Sequence, residues 1–189
     1  MRGDKRERIL RVLLSEEKPL SRLELSKRAE CTRQWVILFL RQLEKKNLIK
    51  GTNVLSGEKL LNYWLGLKKD KPKFKMYMVR DPLPVLKKSN LDYALTTYQA
   101  ENLVQHYLFP SRTDLYVKQE DMEKWHGLMV KNGLYGSGNV RLIPYDKHVF
   151  YKRRKINGLF AVSLPQLIID LLKEGGPCGE AAEMLLKRL

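Results

Sequence analysis

Four polar side chains sit close together in the stretch TRQWVILFLRQLEKK, residues 32–46: Arg33, Gln34, Arg41 and Lys45. An amide and a guanidinium each present polar atoms in a plane, so each can bond bidentately to the edge of a nucleic-acid base. Lysine supplies a mobile positive charge suited to phosphate. At about 100° per residue, Gln34, Arg41 and Lys45 fall on one side of a helix, while Val36, Phe39, Leu40 and Leu43 fall on the other. Thr32, whose hydroxyl can accept an otherwise unpaired N–H of the first turn, is a suitable N-cap. Thr32 and Arg33 then stand at the N-terminal end, the part of a recognition helix that meets bases. Ile37 and Leu38 lie on or beside the polar side and Trp35 on its border, so a short DNA-reading edge is expected at Arg33, Gln34 and Arg41. Trp35 and Leu38 should be partly shielded by another element.

Neighbouring segments must hold this helix in place. Residues 4–15 form a first helix with an apolar stripe of Ile9, Leu10, Leu13 and Leu14, broken at Lys18-Pro19 because proline disfavours helix in its predecessor. Ser21, with Glu24 three residues on, has the capping-box spacing and starts a second helix. Glu30-Cys31 is the turn, and Asn47 occupies the left-handed position that ends the third helix. Leu48–Lys50 leads into a short hairpin before Ser56, which caps a fourth helix over 57–67. Trp64 is expected as the core anchor between this part and the remainder of the chain. Over residues 5–55 the order resembles the winged-helix DNA-binding family, with Asn47 in place of the usual glycine and a very short wing. In that setting Lys45 and Lys50 would flank or contact phosphates.

The totals agree with a globular chain. Of 189 residues, 43% are hydrophobic and 30% charged, which excludes a disordered composition. The longest apolar run, residues 35–40, is too short for a membrane span, which takes about 20 residues. The N-terminus does not resemble a signal peptide, and two distant cysteines without CxxC partners fit a reducing cytoplasm. The net charge is +15, and residues 1–72 hold 18 Lys/Arg against 9 Asp/Glu. Such a field attracts polyanions.

The linker is placed at LKKDKPK, residues 67–73, dividing the chain into 1–70 and 71–189. Beyond it, strands are expected at 73–79, 91–96, 113–118, 140–144, 147–152 and 159–162. Helices are expected at 81–88, 98–108, 120–131, 164–173 and 179–189, and residues 132–138 read as a loop. The fold class is therefore α+β: a winged helix-turn-helix followed by a mixed sheet with two C-terminal helices. Ser163 reads as a helix cap and Asp170 as a residue of an exposed helix face.

Several words of this second part, YALTTYQAENLV (93–104), DLYV (114–117), VRLIPYDKHVFY (140–151) and FAVSLPQLIIDLLKEGGPCGEAAEMLL (160–186), resemble the AbiEi family. Its members are antitoxins and transcriptional regulators of type IV toxin–antitoxin pairs. The resemblance implies a DNA-binding autorepressor acting on double-stranded DNA, with an inverted repeat in its own promoter as target. It further implies a nucleotidyltransferase-like toxin as partner.

Catalytic chemistry finds little footing. His106, His126 and His148 lie in different elements without ligand spacing to Cys, Asp or Glu, so neither a metal site nor a cofactor is expected. Gly136-Ser137 is not followed by paired carboxylates, which metal-dependent phosphoryl transfer needs. Glu180 and Glu183 read as a solvated helix face. The run Lys152-Arg153-Arg154-Lys155 precedes Asn157-Gly158, a turn signal. It fits a nucleic-acid or partner contact and a solvated hairpin edge equally well. Two alternatives to DNA reading therefore stand: a protein-interaction module using Trp35, Ile37 and Leu38, and a basic RNA-binding protein.

Overall fold

A computed structural model describes residues 4–67 and 73–188. The linker and the division at 70/71 expected from the sequence fall outside the described residues, apart from Leu67 and Lys73. The N-terminal part runs α1 (Lys5–Ser15), α2 (Arg22–Arg28), α3 (Arg33–Lys45), β1 (Ile49–Lys50), β2 (Asn53–Val54) and α4 (Gly57–Leu65). Each helix starts at a side-chain cap: Asp4, Ser21, Thr32 and Ser56 accept backbone N–H groups of the first turn. Such a cap contributes about 1 kcal/mol. Glu30 and Asn47 take positive φ, 51° and 54°, at the turn and at the end of α3. Ile9, Leu10, Leu25, Val36, Phe39, Leu40 and Leu43 are buried. Each removes apolar surface at about 25 cal/mol per Å2, before the opposing loss of chain entropy. The winged helix-turn-helix is complete but for its wing, which is two residues per strand.

The second part adds β3 (Lys75–Val79), α5 (Pro82–Lys88), β4 (Tyr93–Thr96), α6 (Thr97–Gln105), β5 (Thr113–Lys118), α7 (Met122–Asn132), β6 (Gly133–Tyr135), β7 (Val140–Tyr145), β8 (Arg154–Ile156), β9 (Leu159–Ala161), α8 (Leu164–Glu174) and α9 (Pro177–Leu186). The seven strands are ordered β6-β3-β7-β5-β4-β9-β8. β5–β7 and β4–β9 are parallel and the remaining pairs antiparallel, so the sheet is mixed. Strand alternation gives the sheet two unlike faces. Tyr93, Leu95, Leu115, Val117, Val140 and Leu142 make one apolar and buried, and Tyr93 packs edge-on against Trp125 of α7. The other carries Thr96, Asp114, Tyr116, Arg141, Ile143 and Tyr145, and meets α8.

Local readings of the sequence fail at several points. Residues 133–135 form edge strand β6, not a loop. A Cβ on Gly133 would lie 2.1 Å from the Met78 carbonyl oxygen, and one on Gly138 2.2 Å from that of Tyr77, so glycine there permits backbone approach. Residues 147–150 form a 3-10 turn and not a strand, because Asp146 accepts the His148 N–H and starts the turn. α6 ends at Gln105, where His106 turns left-handed at φ 58°. Ser163 does not cap α8: its Oγ is buried and has no hydrogen-bond partner among the described residues. Asp170 is not on an exposed face but is 7% exposed. Asn157 and Gly158 do form the β8–β9 turn, both at positive φ, as an Asn-Gly hairpin requires.

Candidate nucleic-acid interface

Thr32 Oγ1 accepts the Trp35 N–H at 3.3 Å, fixing the start of α3. From there Arg33, Gln34, Arg41 and Lys45 all reach solvent. None of the four makes an ion pair or a side-chain hydrogen bond among the described residues. Lys50, on the wing, is likewise exposed and unpaired among them. The wing is held by its turn: the Gly51 N–H donates to Glu44 Oε1 at 2.8 Å, and the Thr52 hydroxyl to the Leu20 carbonyl at 2.6 Å. The apolar neighbours behave differently from one another. Trp35 is half-buried against Phe39 of its own helix, ring centroids 5.6 Å apart. Leu38 is 53% exposed, so the cover expected for it is not there among the described residues. It lies beyond the stripe that the core claims.

Behind this face the helices are locked to the second part by charged groups that the sequence does not connect. Arg8 forks onto Asp146 at 2.6 and 2.7 Å. Arg11, 1% exposed, donates to Gln166 Oε1 at 2.7 and 3.0 Å and to His148 Nδ1 at 2.9 Å, with Trp64 facing its guanidinium. Glu7 accepts the Trp64 indole N–H at 3.1 Å within the first part and the Tyr145 hydroxyl of the second at 2.9 Å, so the bond across the seam is made by Glu7, with Trp64 buried behind it. Glu16 receives Arg28 at 2.5 Å and, across the seam, the Tyr151 hydroxyl and Lys152. Burial works against the Glu16 charge, but Tyr151 and Arg28 outweigh it and hold its pKa below the usual carboxylate range.

His148 shows how tightly this seam is specified. Arg11 has only donors, so Nδ1 must accept, and Nε2 must then carry the proton it gives to the Arg28 carbonyl at 2.9 Å. The ring is therefore neutral. Burial first, and Arg11 second, push its pKa down to about 4.

The polar face of the sheet carries a second network. Asp114, fully buried, receives Arg112 and Arg141 through two hydrogen bonds each, and Thr97 through its hydroxyl. Both arginines also reach Glu174. This closed set of two arginines and two carboxylates is electrically balanced. Asp170 accepts Thr96 at 2.6 Å, Gln166 at 2.8 Å and Tyr116 at 3.0 Å. Even so, burial raises its pKa above the ordinary carboxylate value.

The run 152–155 divides. Lys152 pairs with Glu16, and Arg153 with Asp92 at 2.8 Å while stacking on Phe160 at 4.3 Å. Arg153 is thus a structural residue and not a free contact. Arg154 and Lys155 on edge strand β8 are exposed and have no acidic partner among the described residues.

Sequence reasoning missed Arg8, Arg11, Asp114 and Arg141, and placed Asp170 on the wrong kind of surface. Asp114, Arg141 and Asp170 had one usable signal, a charge within an otherwise apolar strand or helix. Among the described residues no group of three His, Cys, Asp or Glu is arranged to hold a metal ion. No helix there is long and apolar enough to cross a membrane. No family model, curated protein or solved structure matches the chain.

Proposed function

We propose that the chain is a transcriptional regulator that reads duplex DNA with α3, and not an enzyme. The observation that carries this reading is the state of the α3 edge. Arg33, Gln34 and Arg41 are exposed, and unpaired among the described residues, on a helix whose opposite side is sealed in the core. Most of the other described arginines have an acidic partner, so these are groups with hydrogen-bonding capacity left open. Gln34 and Arg41 read bases; Arg33, Lys45 and Lys50 hold the phosphates. The target is an inverted repeat in the protein's own promoter, and the site of action is the cytoplasm.

The test is a gel-shift titration against that promoter with Gln34→Ala plus Arg41→Ala. Removing a base-reading residue costs about 1–3 kcal/mol and relaxes specificity. Equal affinity for wild type and double variant would overturn the assignment.

The antitoxin role, with a nucleotidyltransferase-like toxin as partner, is supported by the sequence resemblance of residues 93–186. Co-expression with such a toxin should rescue growth, and persistent toxicity overturns this part. A protein-contact reading of the same helix has its own support in Leu38, which stands open beside the polar edge. Leu38→Ala separates the two: a loss of partner capture with DNA affinity intact assigns Leu38 to protein contact. An RNA target predicts that structured RNA outcompetes duplex DNA at fixed salt.

A further inference from the structure

A cleft of about 550 Å3 opens between the end of α4 and the polar face of the sheet. Leu65, Leu67, Phe74 and Ile143 give it apolar wall, and α8 lines it with Gln166, Asp170, Lys173 and Glu174. These four recur at helical spacing, so a single stripe of α8 faces the space. The cleft is large enough for a small metabolite, and it joins apolar wall to a few convergent polar groups, as ligand sites do.

The hydrogen atoms already committed decide which chemistry fits. Thr96 and Tyr116 both direct their hydroxyl protons to Asp170, and Thr97 directs its own to Asp114. What these three hydroxyls still offer is lone pairs. Asp170 Oδ2 accepts one bond, from Thr96, and has room for another. The floor is therefore a cluster of acceptors around a buried carboxylate, and it calls for a donor-rich, positively charged head group. Lys173, three residues along the same stripe, is exposed and makes no ion pair among the described residues. It calls for an anion. Arg141 is shared by Asp114 and Glu174, so these charges of the cleft are balanced among themselves. Thr97, beside the cleft, holds φ at 46°, a strained value for a β-branched residue that the bond to Asp114 helps maintain.

We propose that this cleft binds a small zwitterion of the α-amino-acid class. Its ammonium group donates to Asp170 beside the Tyr116 hydroxyl, its carboxylate meets Lys173, and its side chain lies against Phe74, Leu65 and Ile143. The proposal does not rest on DNA reading by α3.

The test is a thermal-shift titration of the full chain with the proteinogenic L-amino acids, one at a time. At least one should raise the Tm by about 3 °C near saturation. The corresponding amine without the carboxylate, and the corresponding acid without the amine, should each bind at least about tenfold more weakly, a loss of about 1.4 kcal/mol. Lys173→Ala, an exposed and structurally mild change, should weaken binding by a similar factor, and Asp170→Asn should abolish it. If Asp170→Asn does not fold, Lys173→Ala decides. No shift with any amino acid, equal binding of either half-molecule, or unchanged binding to Lys173→Ala would each overturn the proposal.

Discussion

The arginines of α1 and those of α3 are the same chemical group in opposite circumstances. Arg8 and Arg11 are pinned by Asp146, Gln166 and His148, and Arg11 has lost nearly all contact with water. Arg33 and Arg41 have no partner among the described residues and stand in solvent. A net charge of +15 counts these four alike. The difference shows that a basic composition indicates a polyanion only through the charges left over after internal pairing. Among the described residues such leftover charge includes the outward face of α3, the wing and the outer strand of the β8–β9 hairpin.

The comparison can be broken first at Arg11. Arg11→Ala leaves Gln166, His148 and the nearby Glu7 carboxylate without their buried partner. A loss of about 3 kcal/mol is expected in urea denaturation. Arg41→Ala should stay within about 0.5 kcal/mol of wild type. Equal losses would erase the distinction between the two groups.

The same contrast recurs within the basic run. Arg153→Ala should cost about 1–2 kcal/mol through its lost pairing and stacking, whereas Arg154→Ala with Lys155→Ala should leave stability nearly unchanged. A thermal melt of each variant checks this.

A smaller effect is expected from acid. The folded His148 pKa is about 4, below the ordinary value of 6.5, so the unfolded chain takes up a proton that the folded one refuses. Stability from this group is present above pH 6.5 and is lost as the pH falls through that window towards 4. His148→Gln removes that contribution, and its stability should fall less steeply over the window. An unchanged slope would mean the neutral ring does not matter to the seam.

The smallest effect concerns salt. Each phosphate contact contributes about 0.9 to the slope of log affinity against log salt. Arg33→Ala and Lys45→Ala should each flatten that slope for duplex DNA, while Lys152→Ala, whose charge is paired with Glu16, should do so less.

The winged helix was legible because its signals are local. Caps at Ser21 and Thr32, a stripe at Val36, Phe39, Leu40 and Leu43, and a left-handed Asn47 are each read within a few residues. The seam was not legible, because its pairs lie far apart in sequence, Arg11 and Gln166 by 155 residues. In isolation Glu7, Arg8 and Arg11 look like the solvated side of an amphipathic helix. Asp170 misled for the same reason: its partners Thr96 and Tyr116 come from strands in the middle of the sheet. Strand β6 was hidden by Gly133 and by Gly138 beyond it, which read as loop until the backbone they touch is in view. Lys147–Phe150 was hidden by the opposite error, since a run of large side chains suggested a strand where an aspartate cap had started a turn.

The buried seam has a consequence for how this protein can be taken apart. A chain cut after α4 would keep every cap and stripe of the winged helix. It would also uncover Glu7 and Arg11 with their partners across the seam, Tyr145, Gln166 and His148, gone. The winged-helix part is therefore no interchangeable cassette. Grafting it onto another body would require carrying along Tyr145, Asp146, His148 and Gln166, so any exchange of modules in this architecture has to move both sides of the seam together.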